Sequence, residues 1–104
     1  AYRTLNRELG LPTQPVRPRE FVPRLASDLD VPNRIQQRAR TLAGEAESAG
    51  VTTGVQPAGF AAACLYRAGR EHTWPLTQTD VADAANVSET TIRSHRDTLD
   101  GLAL

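Results

Sequence analysis

The sequence predicts an all-α protein, and three observations lead to that prediction. Hydrophobic residues make up 39% of the 104 residues but aromatic residues only 5%, so the core must consist of Ala, Leu, Val and Ile. β-branched residues do not alternate with polar ones over any long run, which argues against strands. Apolar residues recur instead at spacings of three and four. A chain of this length forms one domain that buries roughly 65% of its unfolded surface.

Residues 1–18 are expected to precede the folded unit, which should comprise residues 19–104. The chain begins with a short helical segment that ends at Gly10 and has an apolar face of Leu5 and Leu9. The stretch from Leu11 to Pro18 contains three prolines, which is typical of an extended connector because Pro fixes φ and lacks an amide donor. We therefore interpret residues 1–18 as the end of a preceding element followed by a connector.

Two amphipathic helices should follow. Because Pro is tolerated in the first turn of a helix, Pro23 requires the helix over residues 19–29 to begin close to Glu20. The apolar face of this helix consists of Phe21, Val22, Leu25, Ala26 and Leu29. The next helix is predicted to begin with Pro32 as its first residue and to end at Gly50. Its apolar stripe consists of Ile35, Ala39, Leu42, Ala46 and Ala49.

The third helix, predicted over residues 56–70, is apolar on all sides. It contains Phe60, Cys64, Leu65, Tyr66 and a series of alanines, and it leaves no polar face. A helix of this kind is buried on all sides, and this one is too short to span a membrane. We therefore expect it to be the central helix of a bundle. Trp74, in the loop that follows, should pack at the edge of the core.

The stretch from Thr77 to Leu99 has the pattern of two helices joined by a tight turn. Thr77 is a good N-cap, and Asp80 stands where a capping box places its acid. Asn86 tolerates the left-handed conformation that a sharp turn needs, and Ser88 is a second N-cap. This is the register of a helix-turn-helix, whose second helix enters a DNA groove. A plain helical hairpin has the same local pattern and remains an alternative.

The charge and the chemistry narrow the possible functions. The net charge is zero, so we expect this chain to bind nucleic acid only weakly by itself and to need partners for the remaining affinity. All 12 basic residues are Arg, which is compatible with DNA contact. The single Cys64 excludes an internal disulfide, and His72 and His95 have no ligand-spaced partners. No phosphate loop or nucleophile motif occurs. We therefore expect no catalysis, no metal, no cofactor and no small-molecule substrate. Without a signal peptide or membrane span in the sequence, we expect an intracellular protein.

Three segments resemble a known family: EFVPRLASDLDVP, TTGVQPAGFAAACLYRAG and TQTDVADAANVSETTIRSHRDTL. They are similar to the second cyclin repeat of archaeal transcription factor B, the counterpart of eukaryotic transcription factor IIB. The resemblance implies a cyclin-like five-helix bundle around a buried central helix, ending in a helix-turn-helix. It also implies that residues 1–9 are the last helix of a first repeat and that residues 11–18 connect the two repeats.

The resemblance also implies a function. Members of this family bind the complex of TATA-binding protein with promoter DNA, and their helix-turn-helix reads the B recognition element upstream of the TATA box. RNA polymerase is recruited by an N-terminal zinc ribbon that lies outside these residues. The implied location is the archaeal cytoplasm, at the nucleoid. Two alternatives remain. One is a cyclin-like protein-interaction module that does not read DNA sequence. The other is a helix-turn-helix repressor, which would have to be a dimer.

The resemblance assigns base contacts to Thr90 and Arg93. The helix register agrees, because it directs Ile92 inward and the polar residues near the start of the second helix outward. Arg93 can contact guanine in bidentate fashion, and the backbone N–H groups at the two helix starts can hold phosphates. Arg96, where the family usually has an aromatic residue, can reach a phosphate, with His95 sharing the inward position. A phosphate contact is expected to be missing at Val55, where the family often has a basic residue. The predicted DNA-binding residues are Gln78, Ser88, Glu89, Thr90, Thr91, Arg93, Ser94 and Arg96.

Overall fold

A computed structural model describes residues 17–52 and 55–102, and all of the regular structure within them is helical. The expected helix over residues 1–9 and nearly all of the connector lie outside these residues, so the division of the chain at residue 18 stays a prediction. The all-α fold is confirmed. The helices are α1 (Pro18–Leu29), α2 (Asn33–Ser48), α3 (Pro57–Glu71), α4 (Gln78–Ala85) and α5 (Glu89–Gly101).

Helix α3 is the centre of the bundle, as its composition predicts. It packs against each of the other helices, whereas α2 packs only on α1 and α3 among the major contacts of the described residues. Ala61, Ala62 and Ala63 are fully buried, so neighbouring backbones can approach α3 closely. Phe60 and Leu65 supply the bulk of this helix to the core. Trp74 lies half-buried against the core, in agreement with its predicted position.

The beginning of α1 differs from the prediction. The helix starts at Pro18, which occupies its first turn and is buried. Pro23 therefore lies beyond the first turn, inside the helix, and the expected start close to Glu20 was wrong. Pro23 cannot donate to the carbonyl of Arg19, but both residues are exposed, so water can satisfy that carbonyl. The free-energy cost of a proline inside the helix is reduced because Pro23 lies on the solvent-facing side of α1.

Helix α2 shows two smaller differences. Pro32 is the N-cap, one residue before the helix, and its carbonyl accepts from the N–H groups of Ile35 and Gln36 at 3.1 Å. Ala49, which was expected on the apolar stripe, is the exposed C-cap residue, and Ala43 is buried instead. The helix ends before the pattern does, so the last member of the stripe falls outside it.

Charged side chains join α3 to α2 and α5 at one end of the bundle. Arg67 lies 2.7 Å from the Asp100 carboxylate on α5 and 3.5 Å from Glu71. Arg38 on α2 donates to Glu71 at 2.7 Å, and this hydrogen bond is the main reason that the pKa of Glu71 lies below its ordinary value. Pairs of this exposure contribute about 0–1 kcal/mol each. Of these pairs, Arg67–Asp100 links the C-terminal end of α5 to α3, and Arg38–Glu71 links α2 to α3.

Candidate nucleic-acid interface

Both helices of the helix-turn-helix begin with a side-chain cap. The Thr77 hydroxyl accepts from the Asp80 N–H at 3.0 Å, and the Asp80 carboxylate accepts from the Thr77 N–H at 3.2 Å. The Ser88 hydroxyl accepts from the Thr91 N–H at 3.2 Å. Asn86 adopts the left-handed conformation, with φ 58° and ψ 46°. The capping box, the turn residue and the second N-cap are therefore confirmed.

The apolar residues of these two helices attach them to the bundle. Val81 and Ala82 of α4 and Ile92 and Leu99 of α5 are buried, and Val87 in the turn is half-buried against the core. Both helices pack on α3, and α4 also packs on α1. The polar face of α5 is consequently directed away from the bundle.

Gly59 of α3 lies beside Val87 of the turn and Thr91 of α5. A Cβ atom at this position would lie 3.0 Å from Gln56 Oε1 and 3.4 Å from both Thr91 Cγ2 and Val87 Cγ1. We expect Gly59→Val to reduce the free energy of unfolding by about 1–3 kcal/mol, because there is no space for two further methyl groups. Denaturant unfolding followed by circular dichroism measures this change.

Gly44 is a matched control for that substitution. It also lies inside a helix, but apart from its chain neighbours and the backbone of its own helix no atom of the described residues lies within 4 Å of the position its Cβ would take. Gly44→Val should leave the free energy of unfolding unchanged or slightly higher, since a helix interior disfavours Gly. Equal losses in the two variants would show that packing at Gly59 is not close.

The N-terminal half of α5 presents most of the predicted DNA-binding residues to solvent. The exposed residues of the set are Ser88, Glu89, Thr90, Arg93 and Ser94. Thr91 is half-buried, and its hydroxyl lies 3.1 Å from the Ser88 hydroxyl, so it supports the turn from the inner side. Gln78, at the start of α4, is half-buried. The structure thus brings the starts of α4 and α5 to one face.

Arg93 bridges the two helix starts. Its Nη1 donates to Gln78 Oε1 at 3.1 Å, and its Nη2 donates to Thr90 Oγ1 at 3.2 Å. The side chain remains 46% exposed, so a ligand can reach it. Sequence reasoning selected Gln78 for its backbone position and missed this contact of its side chain, which joins residues 15 positions apart. The guanidinium is therefore held in place before any ligand arrives.

Glu89 forms a second link between the same two helices. Its Oε2 accepts from the Thr79 hydroxyl at 2.7 Å, and its Oε1 lies 4.0 Å from Arg93 Nη1. Sequence reasoning missed Thr79 entirely, because no local pattern relates a residue of α4 to one ten positions later. This carboxylate places a negative charge beside the most exposed cation of the face.

Arg96 lies one helical turn after Arg93, in different surroundings. Its side chain is 25% exposed, and its Nη2 lies 3.2 Å from Asp97 Oδ1. It lines an open cleft between the C-terminal parts of α3 and α5 together with Arg67, Arg70, Glu71 and Asp100. The low exposure of the side chain agrees with a stem that packs against the helices, whereas the contact of its head with a phosphate stays a prediction.

The chain matches the family described as Transcription factor TFIIB repeat over residues 12–99, which is most of its length. The chain belongs to the TFIIB repeat family. The family resemblance drawn from the sequence is therefore confirmed, and so is the cyclin-like all-helical fold. In this fold the TFIIB repeat ends in the helix-turn-helix formed by α4 and α5.

Curated relatives support this membership. The chain is 60% identical over 99 residues to transcription initiation factor IIB 5 of Halobacterium salinarum, which covers 95% of this chain and 32% of the relative. It is 45% identical to factor IIB 1 of the same organism, over 90% of this chain and 33% of the relative. It is 41% identical to the factor IIB of Methanothermococcus thermolithotrophicus, over 89% and 27%. The chain spans about a third of the length of these relatives.

His95 connects the outer helix of this TFIIB repeat to its central helix. Its ring meets that of Phe60 edge-on, with centroids 5.2 Å apart and planes at 64°. The half-buried position lowers the pKa of His95 from its ordinary value of 6.5, because burial disfavours the charged imidazolium. The side chain therefore packs inward, as expected from its place in the register.

The pKa of His95 predicts a dependence of stability on pH. The unfolded chain binds a proton at higher pH than the folded repeat does, so the contribution of neutral His95 is complete above its ordinary pKa of 6.5. It is lost as the pH falls from there toward the lower folded-state pKa. As the pH is lowered from about 8 to about 5, the denaturant midpoint of the wild type should decrease, and that of His95→Phe should decrease less. Parallel curves for the two proteins would contradict this assignment.

The remaining ionisable residues of the described part of the chain form neither a three-ligand metal cluster nor a reactive thiol. In the part of the chain that the structure describes, no three His, Cys, Asp or Glu residues are grouped to hold a metal ion. Cys64 is buried, and this burial raises the pKa of its thiol, so it does not form the nucleophilic thiolate. Among the same residues, no helix combines the length and the apolar character needed to cross a membrane.

Proposed function

We propose that this TFIIB repeat takes part in transcription initiation by binding promoter DNA upstream of the TATA box, at the B recognition element, together with TATA-binding protein. The observation that carries the proposal is the position of Arg93. It is exposed at the start of a capped helix and held by one residue of α4 and one of α5. Family membership supports the role in initiation.

Base recognition would come from the N-terminal half of α5 in the major groove. An arginine has five N–H donors, and the hydrogen bonds to Gln78 and Thr90 use two of them. The remaining donors suffice for a bidentate contact with O6 and N7 of a guanine, which is worth about 1–3 kcal/mol of discrimination against another base. Thr90, adjacent on the exposed face, would contact the neighbouring base pair.

Backbone groups would fix the register on the DNA. The N–H groups of the first residues of an α-helix have no acceptor within the helix, and those of Gln78 and Glu89 open α4 and α5. Such N–H groups bind phosphate oxygens and orient a protein without reading sequence. Arg96, at the edge of the face, would add a phosphate contact.

The charge of the chain explains why partners are part of the proposal. The net charge is zero, and Arg38, Arg67 and Arg96 each lie within 4 Å of a carboxylate. Long-range electrostatic attraction to DNA is therefore weak, and most of the affinity for DNA must come from contacts made by partners. We propose TATA-binding protein as the source, with RNA polymerase contacted through other parts of the protein. The complex would form in the cytoplasm, at the nucleoid.

A binding experiment tests the proposal. The full-length protein and TATA-binding protein are titrated onto duplexes that share one TATA box and differ only in the bases immediately upstream. We expect the dissociation constant to vary about 5- to 150-fold among these duplexes, which corresponds to one bidentate base contact. Duplexes altered only downstream of the TATA box serve as the control. A dissociation constant that is the same for all upstream sequences would contradict the proposal.

A further inference from the structure

The Glu89 carboxylate has a fixed position between the two helices. One oxygen, Oε2, accepts from the Thr79 hydroxyl at 2.7 Å, while Oε1 faces Arg93 Nη1 at 4.0 Å. A separation of 4.0 Å is too long for a hydrogen bond, so Arg93 keeps its donors for other acceptors. Glu89 thus acts on Arg93 through charge and not by occupying its hydrogen-bond sites.

A negative charge at this position affects the two kinds of DNA contact differently. A phosphate that binds Arg93 must approach the Glu89 carboxylate, because that carboxylate lies 4.0 Å from Arg93 Nη1. The negative charges of the phosphate and of the Glu89 carboxylate then repel each other. The O6 and N7 edge of a guanine carries no net charge, so it avoids this repulsion. The Glu89 carboxylate therefore disfavours contacts of Arg93 with DNA phosphates more than contacts of Arg93 with bases.

We propose that Glu89 is a positioning and selectivity residue that suppresses binding of Arg93 to DNA phosphates and so reserves Arg93 for a base edge. The choice of a base edge as the favoured ligand rests on the proposed function. The suppression of binding to the DNA backbone does not, because it requires only the negative charge of Glu89 beside Arg93. The two parts can therefore be tested separately.

The main variant is Glu89→Gln, which keeps an oxygen acceptor for Thr79 and removes the charge. The full-length protein is titrated alone onto a random-sequence duplex that lacks a TATA box, over a series of salt concentrations. We expect the variant to bind this duplex on the order of five-fold more tightly than the wild type. The slope of log K against log salt should become more negative by about 0.9, the value for one added phosphate contact.

Two controls separate charge from other effects. Glu45→Gln makes the same chemical change on α2, which packs on α1 and α3 and whose residue 45 is exposed. It should bind the random duplex like the wild type. Thr79→Val removes the hydrogen bond and keeps the charge, and it should also bind like the wild type. The proposal is overturned if Glu89→Gln matches Glu45→Gln, or if Thr79→Val gains as much affinity as Glu89→Gln.

A second measurement separates this proposal from the proposed function. The same proteins are titrated with TATA-binding protein onto the duplexes that differ upstream of the TATA box. A wild type that discriminates among them, with Glu89→Gln discriminating less, supports both proposals. A wild type that does not discriminate overturns the proposed function, whereas tighter binding of Glu89→Gln to random DNA would still establish the suppression by Glu89.

Discussion

Replacing Arg93 by Ala should remove about 1–3 kcal/mol of discrimination at one upstream base pair. The variant should fold normally, because the side chain is 46% exposed and its partners Gln78 and Thr90 can bind water instead. Loss of a base contact reduces the affinity for the preferred upstream sequence and leaves the affinity for other sequences nearly unchanged. The ratio of the dissociation constants for a duplex with the preferred upstream sequence and a duplex with another upstream sequence, measured with TATA-binding protein, gives the loss of discrimination directly.

Arg34 provides the matched control for this variant. It is an exposed arginine on α2, a helix that, among the described residues, has no major packing contact with α4 or α5. Arg34→Ala removes the same charge and should reduce the affinity for all duplexes equally, if at all. The alternative function, a protein-interaction module that does not read DNA, predicts that Arg93→Ala and Arg34→Ala behave alike. Equal discrimination in both variants would therefore favour that alternative.

Replacing Phe60 by Ala should have the largest effect on stability. Phe60 is among the largest of the fully buried side chains, and it lies on the central helix with its ring against His95 of α5. The lost contacts and the remaining cavity should cost about 3–5 kcal/mol. Since a domain is typically stable by only about 5–15 kcal/mol, much of the population would unfold under mild denaturant. Equilibrium denaturation measures the loss.

Phe21→Ala is the comparison for that experiment. Phe21 lies on α1 and is only half-buried, so its removal leaves a site that water can fill. The cost should be clearly smaller than for Phe60→Ala, because less apolar surface returns to water. A loss at Phe21 equal to that at Phe60 would show that α3 is not the centre on which the other helices depend.

The helix ends show how much could be predicted from local sequence. The Thr77 cap with Asp80, the left-handed Asn86 and the Ser88 cap depend on atoms within a few residues of one another. Interactions of this range are determined by residue type and spacing alone. The same reasoning failed at Pro23, because the start of α1 depends on the burial of Pro18 against the rest of the bundle.

Which side of each helix is buried and which is exposed could also be predicted. Burial of α3 followed from the absence of polar residues on any side, and the outward direction of Arg93 followed from the inward direction of Ile92. Periodicity determines which face of a helix is apolar, and the hydrophobic effect then determines which face is buried. Neither argument states which residues of two different helices meet.

The sequence by itself therefore determined the helices, their caps, the central position of α3 and the face on which Arg93 lies. Only the tertiary structure decided the contacts between helices: Gln78 with Arg93, Thr79 with Glu89, and Gly59 with the turn. These contacts depend on the distance and rotation between packed helices, which are set by the fit of many side chains at once. The geometry of the interface is consequently a property of the packing, although most of its residues, Thr79 excepted, could be selected from the sequence.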